Sequence, residues 1–177
     1  MAKLDKNRLI FGVMLLVLIA VGEVVLHKVN VPAWPVFLVM VFFFLAHMDK
    51  KVAPNIIIGA IAGILCMIIA RPVVATISPV TGLQLGRLLC ILGVVAAIIL
   101  FRDMVPMVFN DYFFAYFLIS GLASKAYPPR PNPIVWIAVT LVGGTILILA
   151  ILGIRKIVAS MARKRAIATA RLRVRGY

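Results

Sequence analysis

Residues 105–124 read VPMVFNDYFFAYFLISGLAS, a membrane-length apolar run with Asn110 and Asp111 near its start. An ionisable side chain in hydrocarbon costs several kcal/mol unless it has water, a partner or a proton. The Val105-Pro106 pair that opens this run is matched by Val31-Pro32, which opens an earlier one. Two apolar segments interrupted at matching places predict a membrane protein built around paired broken helices.

Composition agrees when the reading moves outward from this stretch. Of 177 residues, 64% are hydrophobic and 14% are charged, and the mean hydropathy is +1.16. One soluble core cannot hide that much apolar surface. The runs are near-continuous rather than alternating, so they predict helices that satisfy their own backbone hydrogen bonds in lipid, not a β-barrel. A net charge of +14 would point to nucleic acid in a soluble chain. Here most Lys and Arg lie at segment ends and in the C-terminal tail, where topology accounts for them, so no nucleic-acid partner is expected. Cys66 and Cys90 sit in separate apolar segments without CxxC spacing and read as helix-packing thiols. His27 and His47 lie at segment ends with no nucleophile, base or metal spacing beside them. No enzyme, metal or cofactor is expected.

Six segments follow in order. Residues 9–26, preceded by Lys3, Lys6 and Arg8, resemble a signal peptide. They are read as an uncleaved first helix, with Glu23, His27 and Lys28 at its far interface. Residues 36–47 follow Trp34-Pro35 and stop at Asp49-Lys50-Lys51. At 1.5 Å per residue they cover about 20 Å, short of the ~30 Å hydrocarbon core, so they predict a tilted or half helix. Trp34 falls where an interfacial aromatic belt would place it. Residues 55–70 form a third helix with Gly59 and Gly63 at a spacing that admits a close neighbour. Arg71-Pro72 is expected to end or kink it, with a linker to Gly82. Residues 83–101 form the fourth helix, with Arg87 one turn inside, either snorkelling to headgroups or functional. The fifth segment runs to Ala123. Lys125 and a stiff loop of Pro128, Pro129, Arg130, Pro131 and Pro133 come next. The sixth helix, 134–154, carries Gly143-Gly144 as a close-packing or bending point.

The expected domains are thus a six-span membrane domain, 1–154, and a basic cytoplasmic tail, 155–177. Lys and Arg are in excess on the side holding both termini, which places that side in the cytoplasm. The tail is expected to continue helix six as a basic face on the anionic headgroups of the lipid bilayer.

Residues 31–63 written under 105–144 align the two Val-Pro pairs, Phe42-Phe43-Phe44 with Phe113-Phe114, Pro54-Asn55 with Pro131-Asn132, and Gly59 and Gly63 with Gly143-Gly144. Three helices separate the copies. The expected fold is therefore an all-α integral membrane six-helix bundle, an inverted 3+3 repeat with helices two and five short and interrupted. Both short helices should begin about four residues after Val-Pro, at Val36 and at Asp111.

Asn110 is a natural N-cap, and Asp111 complements the positive helix end. Helix starts aimed into the protein would suit a carboxylate or other anion. The alternative is a plain cap at the cytoplasmic surface. Tyr112, Tyr116, Ser120 and Ser124 recur every fourth residue and form one polar stripe, either lining a pore or bonding between helices. The candidate solute-binding set is Asn110, Asp111, Tyr112, Tyr116, Ser120 and Trp34, with Arg87 and Glu23 at the outer mouth.

The Trp34-Pro35-Val36-Phe37 lead-in, the phenylalanine-rich short helix, the Lys50-Lys51 turn, the glycine-bearing third helix and Val105-Pro106 together resemble the fusaric-acid-resistance-like membrane superfamily. The layout is most similar to its small six-helix bacterial proteins of the DUF1097 type. The resemblance covers residues 9–154 loosely. It implies a bacterial inner membrane and transport of a small organic anion. This chain has Ala33-Trp34 where the larger members of the superfamily often carry Tyr-Trp, and it lacks their large cytoplasmic domain. Two functions stand as expectations: a transporter or channel for a small solute, working as a homo-oligomer, and an accessory or scaffold subunit with no pathway.

Overall fold

The computed structural model describes residues 6–126 and 132–175, excluding the side chains of residues 166 and 168–175. Lys3 and the proline loop at 128–131 lie outside the described residues. Six helices occur in order: α1 Lys6–Lys28, α2 Trp34–Leu45, α3 Ala53–Thr81, α4 Leu83–Phe101, α5 Asp111–Ala126 and α6 Pro133–Arg175. The described residues contain no strand. Four helices, α1, α3, α4 and α6, are long and apolar enough to cross a membrane. With 12 and 16 residues, α2 and α5 reach about 18 and 24 Å, less than the ~30 Å hydrocarbon core.

The boundaries follow local chemistry. α2 starts at Trp34, two residues before the expected Val36, because proline is well tolerated in a first turn that needs no N–H from it. It ends where His47 and Met48 turn into the left-handed region, at φ 53° and 57°. α5 starts at Asp111, as the capping pattern predicts, and runs to Ala126 rather than Ala123.

The third helix corrects the sequence reading. It does not end near Ala70, and the expected linker 73–82 is helical through Thr81, with Pro72 and Pro79 inside. Each proline removes one ladder N–H, leaving the carbonyls of Ile68 and Ala75 without it, but the surrounding run stays apolar and the helix continues, and hydroxyls of the same stretch bond other carbonyls of their own helix. Thr76 Oγ1 donates to Pro72 O at 3.0 Å, Ser78 Oγ to Val74 O at 2.5 Å and Thr81 Oγ1 to Ile77 O at 3.1 Å. Such back-bonding satisfies hydroxyls away from water and tends to bend the helix that carries it. Gly82, at φ 82°, then makes the tight turn into α4.

The chain divides into two compact units. One holds residues 34–145, with α2 to α5 and the start of α6. Its α3 and α5 run parallel and nearly touch, since a Cβ on Gly63 would meet Phe113 O and would come within 2.9 Å of Phe117 N. α2 lies antiparallel to α5, with Phe42 edge-on to Tyr112 and Trp34 tilted against Tyr116. α6 places Gly143 and Gly144 against Val36 and Val39 of α2. The interior of this unit is Val36, Val39 and Phe43 of α2, Ile56, Ile64 and Met67 of α3, Phe113, Tyr116 and Phe117 of α5, and Trp136 of α6. α4 contributes only Gly86 and turns Leu88, Leu92 and Ile99 outward. The other unit holds residues 1–33 and 146–177. Within it α1 has no buried residue, whereas Leu147, Ile148, Ile151, Ile154 and Val158 mark one buried face of α6.

Candidate functional site

Asn110 caps α5 as its position predicts. Its Oδ1 accepts the Phe113 N–H at 3.0 Å, the third residue of the helix. Its Nδ2 donates toward Met107 O at 3.0 Å, Pro106 O at 3.1 Å and Asn55 O at 3.4 Å. One amide thus ties the turn before α5 to the first turn of α3, with its donors and acceptor engaged. Gly59 makes the space, because a Cβ there would collide with the Asn110 amide. Asp111 points away. Its carboxylate is 79% exposed and stands 3.6 Å from the guanidinium of Arg102, itself 58% exposed. Paired broken helices would bring two helix starts together. Here they lie at opposite ends of the antiparallel α2 and α5 pair, Asn110 beside Asn55 and Trp34 beside Tyr116.

A second polar cluster lies deeper. Tyr116, fully buried, donates its hydroxyl to Pro35 O at 2.6 Å. Pro35 O and Val39 N are one rung of the α2 ladder, so the tyrosine of α5 is joined to that rung. Trp34 packs against Tyr116 at 6.0 Å and edge-on against Trp136 at 5.1 Å. Its indole Nε1 is covered and has no hydrogen-bond partner; among the described residues it is the one buried side-chain nitrogen or oxygen in that state. Trp34 is thus a part-exposed ring packed between Tyr116 and Trp136, with its N–H covered. Trp136, 102 residues distant and 1% exposed, is the partner that sequence reasoning missed. No local spacing connects two tryptophans on different helices.

The polar stripe on α5 divides in use. Tyr112 packs edge-on to Phe42 at 5.1 Å, and Tyr116 makes the bond between helices. Ser120 and Ser124 turn their hydroxyls to their own helix, onto Phe117 O and Gly121 O. Ser120 and Thr140, whose hydroxyl bonds Trp136 O at 2.7 Å, are the buried polar residues. Arg87 is exposed on α4, and Glu23 is exposed on α1 in the other unit. Every described Lys, Arg, Asp and Glu side chain is exposed. No group of three or more His, Cys, Asp or Glu among the described residues could hold a metal. The fold and the cluster define an all-helical protein with four membrane-length apolar helices. Comparison with protein-family models, curated proteins and solved structures finds no match to the chain.

Proposed function

We propose that this is a multi-span membrane protein that moves a small solute, and that the solute meets the Trp34 indole rather than the Asn110-Asp111 pair. One observation carries the reading: the covered, unpartnered Trp34 N–H. Away from water an unmet donor costs about 1–3 kcal/mol, and a fold that retains one has a use for it. The ring stands at the start of the short α2, and the Tyr116 hydroxyl engages the backbone rung beside it. Movement of α2 against α5 would therefore change what the indole meets.

The inverted 3+3 arrangement belongs to this proposal and is supported by a reciprocal contact. The glycines of α3 pack on α5, and those of α6 pack on α2. The inner-membrane location, the cytoplasmic termini and the tail on anionic headgroups rest on the Lys and Arg asymmetry. Assembly of several copies rests on the bare apolar face of α4. The likeness to the fusaric-acid-resistance-like superfamily belongs to the same proposal.

A second reading, an accessory or scaffold subunit without a pathway, is favoured by Asn110, whose amide is fully engaged by backbone, and by the surface position of Asp111. Osmotic swelling of proteoliposomes in small uncharged solutes separates the two. Transport predicts swelling faster than in protein-free vesicles for at least one solute. Equal rates throughout leave the scaffold reading.

A further inference from the structure

From the charge distribution inside the protein we infer that the solute recognised at Trp34 is an uncharged hydrogen-bond acceptor on an apolar body, such as a ketone, amide or ether, and not an organic anion. The inference rests on the reading of Trp34 as the solute-facing group. The unpartnered group is a donor only, so its ligand must present an acceptor. The rings around it, Tyr116 and Trp136, offer apolar contact and no charge. No described Lys or Arg is buried, so nothing inside the chain compensates a carboxylate. An ion taken from water into such a place loses more hydration than one N–H returns, whereas a carbonyl or ether loses little. At the start of α2 Pro35 has no N–H to offer, and the first-turn N–H groups of Val36 and Phe37 that remain are neutral donors with no cationic side chain buried beside them. Trp34 is only partly exposed and its N–H is covered, so the ring must turn to receive the acceptor.

The two tryptophans of the chain give two indole N–H resonances when the protein is labelled with indole-15N tryptophan and held in phosphatidylcholine nanodiscs. Trp34→Phe assigns them, and unchanged circular dichroism and thermal unfolding show that the variant has kept its fold, since Trp136 lies edge-on to the lost ring at 5.1 Å and its own signal is expected to move. The probes are cyclohexanone and ionised cyclohexanecarboxylate, which share a ring and differ in charge. Cyclohexanone should shift the Trp34 proton downfield and saturably, and act at a concentration at least about tenfold below any effect of the carboxylate, a margin of 1.4 kcal/mol. Saturation by the carboxylate at equal or lower concentration overturns the uncharged class while leaving Trp34 as the solute site. Silence with both probes, or an unliganded Trp34 proton shifted upfield as over a ring face, overturns the inference and the site together.

Discussion

Replacing Asn110 by alanine should destabilise the protein several times more than replacing Asp111 by asparagine, although Asp111 carries the charge. Asn110→Ala loses the cap on α5, about 1 kcal/mol. It also unties the amide from the carbonyls of Met107, Pro106 and Asn55. Those carbonyls lie in part-exposed positions and regain some water, so the second loss is about another 1 kcal/mol. Asp111→Asn removes an ion pair at 3.6 Å between two exposed groups, worth about 0–1 kcal/mol, and keeps much of the polarity at the helix start. Gly59 sharpens the test, because a Cβ there would collide with the Asn110 amide and would lie 3.1 Å from its Cγ. Gly59→Ala alone should therefore be unfavourable, and much milder in an Asn110→Ala background, with a coupling of about 1 kcal/mol or more. Reversible denaturant unfolding in one detergent, followed by circular dichroism across the four-member cycle, measures all of these. Additivity of the two substitutions, or a larger loss for Asp111→Asn than for Asn110→Ala, would refute the tether.

Gly63→Ala should be among the most damaging small substitutions, since its Cβ meets the backbone of Phe113 and Phe117, while Gly93→Ala, with open space around it, should be neutral or stabilising by up to about 1 kcal/mol; thermal unfolding of both variants ranks them. Tyr116→Phe removes the hydroxyl from the Pro35 rung and should cost about 1–3 kcal/mol, with faster amide exchange at Val39; unchanged exchange there would mean that α2 closes its own ladder without help. Reporter fusions after Lys51 and Asp103 should report cytoplasm and fusions at Gly82 the outside, and a reversal at any two would remove the proposed topology.

The sequence made some of this legible and concealed the rest for definite reasons. Capping is local chemistry, so Asn110 and the start of α5 at Asp111 could be read from four residues. The close-approach glycines, 59 and 63 on one helix and 143 and 144 on another, could also be read, because small residues in apolar helices have few other uses. Pro72 and Pro79 misled, since proline breaks helices in water, whereas in this apolar run the rest of the ladder carries the helix through to Thr81. Of the solute-binding set, the fold brings Trp34 and Tyr116 together beside Trp136 and leaves Asp111, Arg87 and Glu23 at the surface. A buried donor without an acceptor cannot be read from sequence, because it is defined by what three different helices fail to supply.

The central claim is that solute movement depends on Trp34 and not on Asp111, and proteoliposome swelling tests it most directly with three proteins side by side. With a solute that the native protein passes, Trp34→Phe should lower the rate by about tenfold or more, the kinetic equivalent of about 1.4 kcal/mol for a lost hydrogen bond to the moving molecule. Asp111→Asn should run at the native rate. A Trp34→Phe protein as fast as the native one, with Asp111→Asn slow, would contradict the account and return the site to the cap of α5.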